Sequence, residues 1–128
     1  GGQRTMDADY IFMRVEEMYL LIAEACAKTG DEAGARKSLK AIMALRVPDA
    51  SYIDALTGKA LLDEIYLQTR IELWGEGKSY LSLKRNKGTT NRGSNHLKFV
   101  ATPVPHNDTR LTFKIPIEEV QNNPNLNK

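Results

Sequence analysis

Residues 13–47, MRVEEMYLLIAEACAKTGDEAGARKSLKAIMALRV, contain two apolar stripes with helical spacing on either side of Gly30 and Asp31. Lys28 and Gly30 predict the end of the first helix, and Asp31 can N-cap the second directly afterwards. Two helices joined so tightly must pack antiparallel. The predicted core faces are Ile11, Val15, Met18, Tyr19, Ile22, Ala23 and Cys26 in the first helix and Ala35, Leu39, Ile42 and Met43 in the second, which Pro48 ends.

Further helices follow a connector at residues 47–58. A third helix is predicted from Lys59 to Glu76, with Gly75 and Gly77 weakening its end, and a shorter fourth from Lys78 to Arg85. The hairpins resemble tetratricopeptide units in length and layout, without a clean repeat pattern. The predicted fold class is therefore mainly α, with antiparallel helix pairs that form part of a tetratricopeptide-like superhelix.

The last third of the sequence is irregular. Residues 86–96 are polar and basic and predict an exposed loop, and residues 97–105 allow at most a short edge strand because of their prolines. Alternating apolar residues predict a weak strand over 111–115, and Pro116 starts a short helix through Val120. The predicted organisation is a flexible N-terminal tail over 1–9 and one helical portion over 10–128.

The composition excludes several classes of protein. The chain has 128 residues, of which 41% are apolar and 27% charged, and this balance is typical of a folded domain. A net charge of +2 gives no electrostatic case for nucleic acid binding. Cys26 is the only cysteine, so an internal disulfide is impossible, and its apolar neighbours favour a core position.

Residues that could carry catalysis are few. His96 and His106 lie in polar sequence without a carboxylate or cysteine at a metal-ligand spacing, so we expect exposed histidines and no metal or cofactor. Glu72 and Glu76 are one helical turn apart, and paired carboxylates can act on a glycosidic bond. Such spacing is common on helices, and Arg70 is close, so a structural ion pair or cap is favoured.

Aromatic side chains could bind sugar rings by stacking. The candidates are Tyr52, Trp74 and Tyr80. A core position is favoured for Trp74 and Tyr80 because aromatic residues at helical spacing are usually buried, whereas Tyr52 lies in the connector and fits either role. The basic loop with Lys87, Arg92 and Lys98 either meets an acidic partner or, more simply, is solvated.

Four stretches in order resemble one known family. They are MRVEEMYLLIAEA at 13–25, RIELWGEGKSYLSLKR at 70–85, IPIEEV at 115–120 and NNPNL at 122–126, and together they resemble the C-terminal region of the SusD/RagB family. Departures from the family pattern are Glu16, where a small residue is usual, and Ser79 and Ser82, where Arg and Asp are usual. The matching motif positions include Arg14, Glu17, Tyr19, Leu20, Arg70, Glu72, Leu73, Glu76, Gly77, Ile115, Pro116, Glu119, Asn123 and Pro124.

This resemblance implies a glycan-binding lipoprotein of the outer membrane, exposed at the cell surface. Members capture oligosaccharides, pass them to a TonB-dependent transporter without catalysis, and are anchored by a lipidated N-terminal cysteine, which Cys26 is not. This chain would be the scaffold or transporter-contact portion of such a protein. One alternative is a tetratricopeptide-like module that binds another protein, and a third hypothesis is a glycosidase that uses Glu72 and Glu76.

Overall fold

A computed structural model of the protein describes residues 13–126, so the predicted tail over 1–9 and the first apolar position, Ile11, lie outside the described residues. The structure is mainly helical, as the sequence predicted. Chain contacts define two compact units, one formed by the described residues up to Ser82 and a second from Leu83 onward. The elements are α1 (Val15–Thr29), α2 (Glu32–Met43), a 3-10 helix (Ser51–Ala55), α3 (Gly58–Glu72), α4 (Lys78–Arg85), β1 (Thr89–Thr90), β2 (Val104–Pro105), a second 3-10 helix (Thr109–Leu111) and α5 (Ile117–Asn122).

The turn between α1 and α2 forms as predicted. Gly30 has a φ of 89°, in the left-handed region, and its N–H donates to the carbonyl of Ala27. The Asp31 carboxylate accepts the N–H of Gly34 at 2.9 Å and caps α2. Pro48 does not end α2, which already ends at Met43, because the amides of Leu45 and Arg46 bond to carbonyls three residues back and tighten the turn that follows.

Side-chain contacts join the ends of the three long helices. Arg14 precedes α1, Arg46 follows α2, and both donate to Glu72 at the end of α3. At the opposite end, Glu32 at the start of α2 accepts the N–H of Gly58 at the start of α3, at 2.6 Å. Therefore α2 and α3 run in the same direction and both are antiparallel to α1. The connector after α2 returns the chain to the end at which α2 began, and α3 starts there.

The core of the first unit lies where α1, α2, α3 and the first 3-10 helix meet. Every predicted core position of α2 is buried. Ile53 in the connector is fully buried, so the connector contributes a side chain to the core. The buried cluster consists of Leu20, Ala23, Ala35, Leu39, Met43, Ala50, Ile53, Leu61 and Ile65.

The predicted core face of α1 is partly wrong. Ala23 is buried, but Val15, Tyr19 and Ile22 are 64%, 40% and 50% exposed. Leu20 is buried instead, because α2 and α3 approach α1 on the side of Leu20 and Ala23. Helix α1 is apolar on more than one face, so periodicity alone could not identify the face that these two helices cover.

Helix α3 ends earlier than predicted. It stops at Glu72 rather than Glu76, and a turn follows in which Gly75 and Gly77 have φ values of 81° and 75°. Glycine adopts this left-handed backbone without strain, so the turn can reverse within a few residues before α4 begins. The bounds predicted for α4, Lys78 to Arg85, are confirmed.

The second unit contains little regular structure. Strands β1 and β2 pair antiparallel, with Thr89 opposite Pro105 and Thr90 opposite Val104. The strand predicted over 111–115 is wrong. Leu111 ends a 3-10 helix, Thr109–Leu111, which Asp108 caps by accepting the N–H of Arg110, and residues 112–115 form no strand. Helix α5 follows Pro116, as predicted, and continues to Asn122.

Candidate functional site

Most of the motif carboxylates and guanidinium groups of the first unit meet in one ion cluster, formed by Arg14, Glu16, Arg46, Glu72 and Glu76. Arg46 binds Glu72 with two N–H donors, at 2.8 Å from Nε to Oε2 and 2.8 Å from Nη2 to Oε1. Arg14 donates to the carboxylates of both Glu72 and Glu76 and to the Glu72 carbonyl at 3.3 Å. Glu16, a departure from the family pattern, joins the cluster at 3.5 Å from Arg14 and 3.8 Å from Arg46.

The cluster holds Glu72 in its ionised form. Hydrogen bonds from Arg46 lower the pKa of this carboxyl, burial opposes them, and Arg14 lowers the pKa further. A general acid must carry a proton near neutral pH, and a carboxyl with a lowered pKa does not. The arrangement therefore favours an ion-paired brace between three helices over the acid of a glycosidase.

The sequence did not identify the partners of these carboxylates. Arg70, expected beside Glu76, has its guanidinium over the ring of Tyr66, 5.7 Å from the ring centroid. The true partners, Arg14 and Arg46, lie far away along the chain, so no local spacing could have indicated them.

The remaining motif residues occupy turns, ends and faces of helices. Glu17 on α1 forms an ion pair with Lys78, with 3.1 Å between Oε1 and Nζ, and Tyr19 is 40% exposed. Gly77 supplies a left-handed turn, Pro116 immediately precedes α5, and Pro124 lies in the turn after α5. In the described structure, these residues form turns, precede a helix or lie on the surface of α1.

Tyr52 is anchored by its hydroxyl. This side chain is 41% exposed, and its O–H donates to Oε1 of Glu64 on α3 at 2.8 Å. Burial and this hydrogen bond to a carboxylate raise the pKa of Tyr52 to about 12. Part of the ring remains available to a ligand, in a fixed orientation.

We expect Tyr52 to stay neutral in alkaline solution while an ordinary tyrosine ionises. Because its pKa rises from 10.0 to about 12 on folding, its contribution to stability is complete below pH 10 and is lost as the pH rises through about 12. Phenolate absorbance measured against a Tyr52→Phe variant should give this value, and Glu64→Gln should bring it closer to 10. Ionisation of Tyr52 near pH 10 in the folded wild type would contradict the anchored geometry.

Trp74 is not a core residue. It follows α3 and is 84% exposed. Nine residues separate it from the buried Ile65, so even in the helical register of α3 it would lie on the opposite side from the core. Tyr80 on α4 is partly buried. Tyr52 contacts Glu64, about two turns and roughly 12 Å before the end of α3, so Tyr52 and Trp74 do not form one platform for a single sugar ring.

Among the described residues, neither histidine belongs to a group that could hold a metal ion. His96 is exposed and its ring nitrogen Nδ1 lies 3.0 Å from Oδ1 of its neighbour Asn95, whereas His106 is partly buried. Within residues 13–126 no group of three His, Cys, Asp or Glu side chains is placed to hold a metal ion. Cys26 packs at the edge of the core, where burial raises the pKa of its thiol.

None of the helices in the described range is long and apolar enough to cross a membrane.

The second unit contains one cluster that its sequence did not indicate. The ring of Phe99 lies beneath two guanidinium groups, with centroid distances of 5.0 Å to Arg110 and 5.7 Å to Arg92. The sequence showed that Arg92 and Arg110 are basic, but it did not predict that the loop brings both to the ring of Phe99. The only available signal was an aromatic residue within an otherwise polar and basic segment.

The sequence of the chain matches that of a known protein family. A family model described as SusD family matches residues 1–128, the full length of the chain. No curated protein and no solved structure is significantly similar to the chain. The matched range includes the ion cluster, the exposed Trp74 and the basic loop around Phe99.

Proposed function

Because the chain belongs to the SusD family, we propose that it is part of a surface protein that captures oligosaccharides and passes them to a TonB-dependent transporter. The family match over residues 1–128 is the observation that carries this proposal, since family membership supports a glycan-binding role in polysaccharide uptake. Members are outer-membrane-associated lipoproteins, which supports a location at the cell surface. The protein would bind its glycan without cleaving it.

In this proposal the first unit is a scaffold. Its ion cluster joins the start of α1, the end of α2 and the end of α3, and it involves motif residues Arg14, Glu72 and Glu76. Glu72 has only 11% of its side chain exposed and is shared by two arginines, which fixes the three helix ends relative to one another. A rigid framework keeps binding groups in place at little cost in entropy.

We place the transporter contact on the outer face of α1. Val15, Tyr19 and Ile22 follow one another at helical spacing and are each at least 40% exposed. Contiguous apolar surface of this kind commonly marks a contact with another protein. The same face would serve the alternative function, a tetratricopeptide-like module that binds a protein partner.

Trp74 is the stacking residue that we assign to sugar recognition within this unit. Its indole is 84% exposed on a short turn, and an aromatic face fits the C–H face of a pyranose. Tyr52 and Tyr80 are the weaker candidates, because Tyr52 is tied to Glu64 and Tyr80 is partly buried.

The test uses the native gene product that contains this chain, extracted from the membrane fraction. Titration calorimetry against a panel of oligosaccharides should show binding without release of reducing ends, and a TonB-dependent transporter should copurify. Trp74→Ala should weaken glycan binding by up to about tenfold, whereas Leu67→Ala, which removes a 45% exposed side chain from α3, should not.

The alternatives predict different results. A protein that binds no glycan but retains a protein partner sensitive to Ile22→Glu would be an interaction module. Release of reducing ends that is lost in Glu72→Gln would indicate a glycosidase and would overturn the proposed absence of catalysis. Equal glycan affinity of wild type and Trp74→Ala would remove Trp74 from the binding site.

A further inference from the structure

The net charge of +2 conceals a separation of charge between the two units. Residues 1–82 contain ten basic and thirteen acidic side chains, whereas residues 83–128 contain eight basic and three acidic ones. Between Leu83 and Ile115 the only acidic residue is Asp108. The second unit therefore attracts anions more strongly than the whole composition indicates. Its basic residues up to Ile115 are Lys84, Arg85, Lys87, Arg92, Lys98, Arg110 and Lys114.

Two of these cations are held at one aromatic ring. The guanidinium carbons of Arg110 and Arg92 lie 5.0 and 5.7 Å from the ring centroid of Phe99, which is 48% exposed. Arg92 also donates from Nη1 to the carbonyl of Lys98 at 3.3 Å, and its own carbonyl accepts the N–H of Ala101 at 3.0 Å. These contacts orient the two side chains before any ligand arrives.

The two arginines differ in charge compensation. Arg110 is paired with Asp108 through two side-chain bonds, 2.8 Å from Nε to Oδ1 and 2.6 Å from Nη2 to Oδ2. Arg110 in turn lowers the pKa of Asp108 to about 2, and Lys84 adds to the effect. Within residues 13–126, no carboxylate forms an ion pair with Arg92, so its charge and most of its N–H donors are available.

The loop that carries Phe99 has an uncommon backbone. Phe99 and Ala101 have φ values of 57° and 53°, in the left-handed region that non-glycine residues seldom adopt. Such conformations persist where surrounding contacts hold them, and they are frequent at ligand sites. Here the two left-handed residues lie in the loop whose Phe99 ring contacts both arginines.

On the basis of the proposed glycan-binding function, we propose that Arg92, Phe99 and Arg110 form a subsite for an acidic sugar, a glycan unit with a carboxylate or sulfate group. Arg92 binds the anion with paired N–H donors, a geometry that guanidinium provides and ammonium does not. The half-exposed ring of Phe99 contacts the C–H face of the sugar. The Arg110–Asp108 pair offers a donor and an acceptor to neighbouring hydroxyl groups.

The experiment compares an oligogalacturonide with the same oligomer after reduction of its carboxyl groups, at low and moderate salt, using the native gene product. Wild type should bind the acidic oligomer at least about tenfold more tightly than the reduced one. Arg92→Gln should abolish this preference, and Arg92→Lys should restore little of it, because lysine keeps the charge without the planar fork. A sulfated oligosaccharide of equal length shows whether carboxylate or sulfate is the preferred anion.

Arg70→Gln is the matched control. Arg70 also lies 5.7 Å from an aromatic ring, that of Tyr66, so this variant removes one charge and one cation–ring contact from the first unit. It should retain the preference for the acidic oligomer. Thermal unfolding and affinity for any neutral glycan that wild type binds show whether Arg92→Gln is still folded.

Several results would overturn the inference. Equal affinity for acidic and reduced oligomers, or an equal loss in Arg70→Gln and Arg92→Gln, would show that no anion subsite exists here. Arg92-dependent binding to anionic lipid vesicles without acidic glycan binding would assign the cluster to a membrane surface. Binding of neutral glycans alone refutes the acidic subsite and leaves the proposed function intact, whereas binding of no glycan refutes both.

Discussion

Replacement of Leu39 by alanine is expected to lower the free energy of unfolding of the first unit by about 3 kcal/mol. Leu39 is fully buried on α2 among side chains of α1, α3 and the connector, so the truncated side chain leaves a cavity that rigid helices cannot fill. Urea unfolding followed by circular dichroism measures the change.

Leu45→Ala serves as the control for this substitution. Leu45 lies just beyond α2 and is 72% exposed, so the same chemical change there should alter the free energy of unfolding by less than about 0.5 kcal/mol. Equal effects of the two substitutions would show that α2 does not bury the face described above.

Glu72→Gln is expected to destabilise the first unit by about 2 kcal/mol, a value between those for buried and exposed ion pairs. The substitution removes the carboxylate that Arg14 and Arg46 share, and the two guanidinium groups then repel each other with less compensation. Asp63→Asn, at a 63% exposed carboxylate paired with Lys59 on α3, should have no measurable effect.

The destabilisation by Glu72→Gln should depend on pH. Folding lowers the pKa of Glu72 below its ordinary value of 4.5, so its contribution is present above that pH and is lost as the pH falls through the folded-state value. Urea midpoints of wild type and variant should therefore differ at neutral pH and converge in acid. A constant difference across this range would mean that the loss arises from packing rather than from charge.

Local features of this chain were predictable from its sequence. Gly30 and Asp31 define the turn between α1 and α2 because capping depends on residues within one turn of the helix end. The buried face of α2 was also predictable, since this helix has one apolar stripe and a polar opposite side. The family prediction, based on four short stretches in order, is confirmed by the match over residues 1–128.

The sequence did not predict which side chains remain exposed. Helix α1 has apolar residues on more than one face, and the choice of Leu20 over Val15 or Ile22 depends on where α2 and α3 approach. Trp74 was expected in the core because it is aromatic, but it lies on the opposite side of the helical register from the buried Ile65 and is 84% exposed. The outcome in α1 depends on packing, which overrides local pattern.

The helical class, the turn between α1 and α2 and the family could be predicted from the sequence, which also contains no recognisable catalytic motif. The sharing of Glu72 by Arg14 and Arg46, and of Phe99 by Arg92 and Arg110, became apparent only in the folded protein. Capping and periodicity act within a few residues, so they can be read along the chain. These clusters join side chains that only the folded path brings together, because an ion pair or a cation–ring contact depends on distance in space rather than along the sequence.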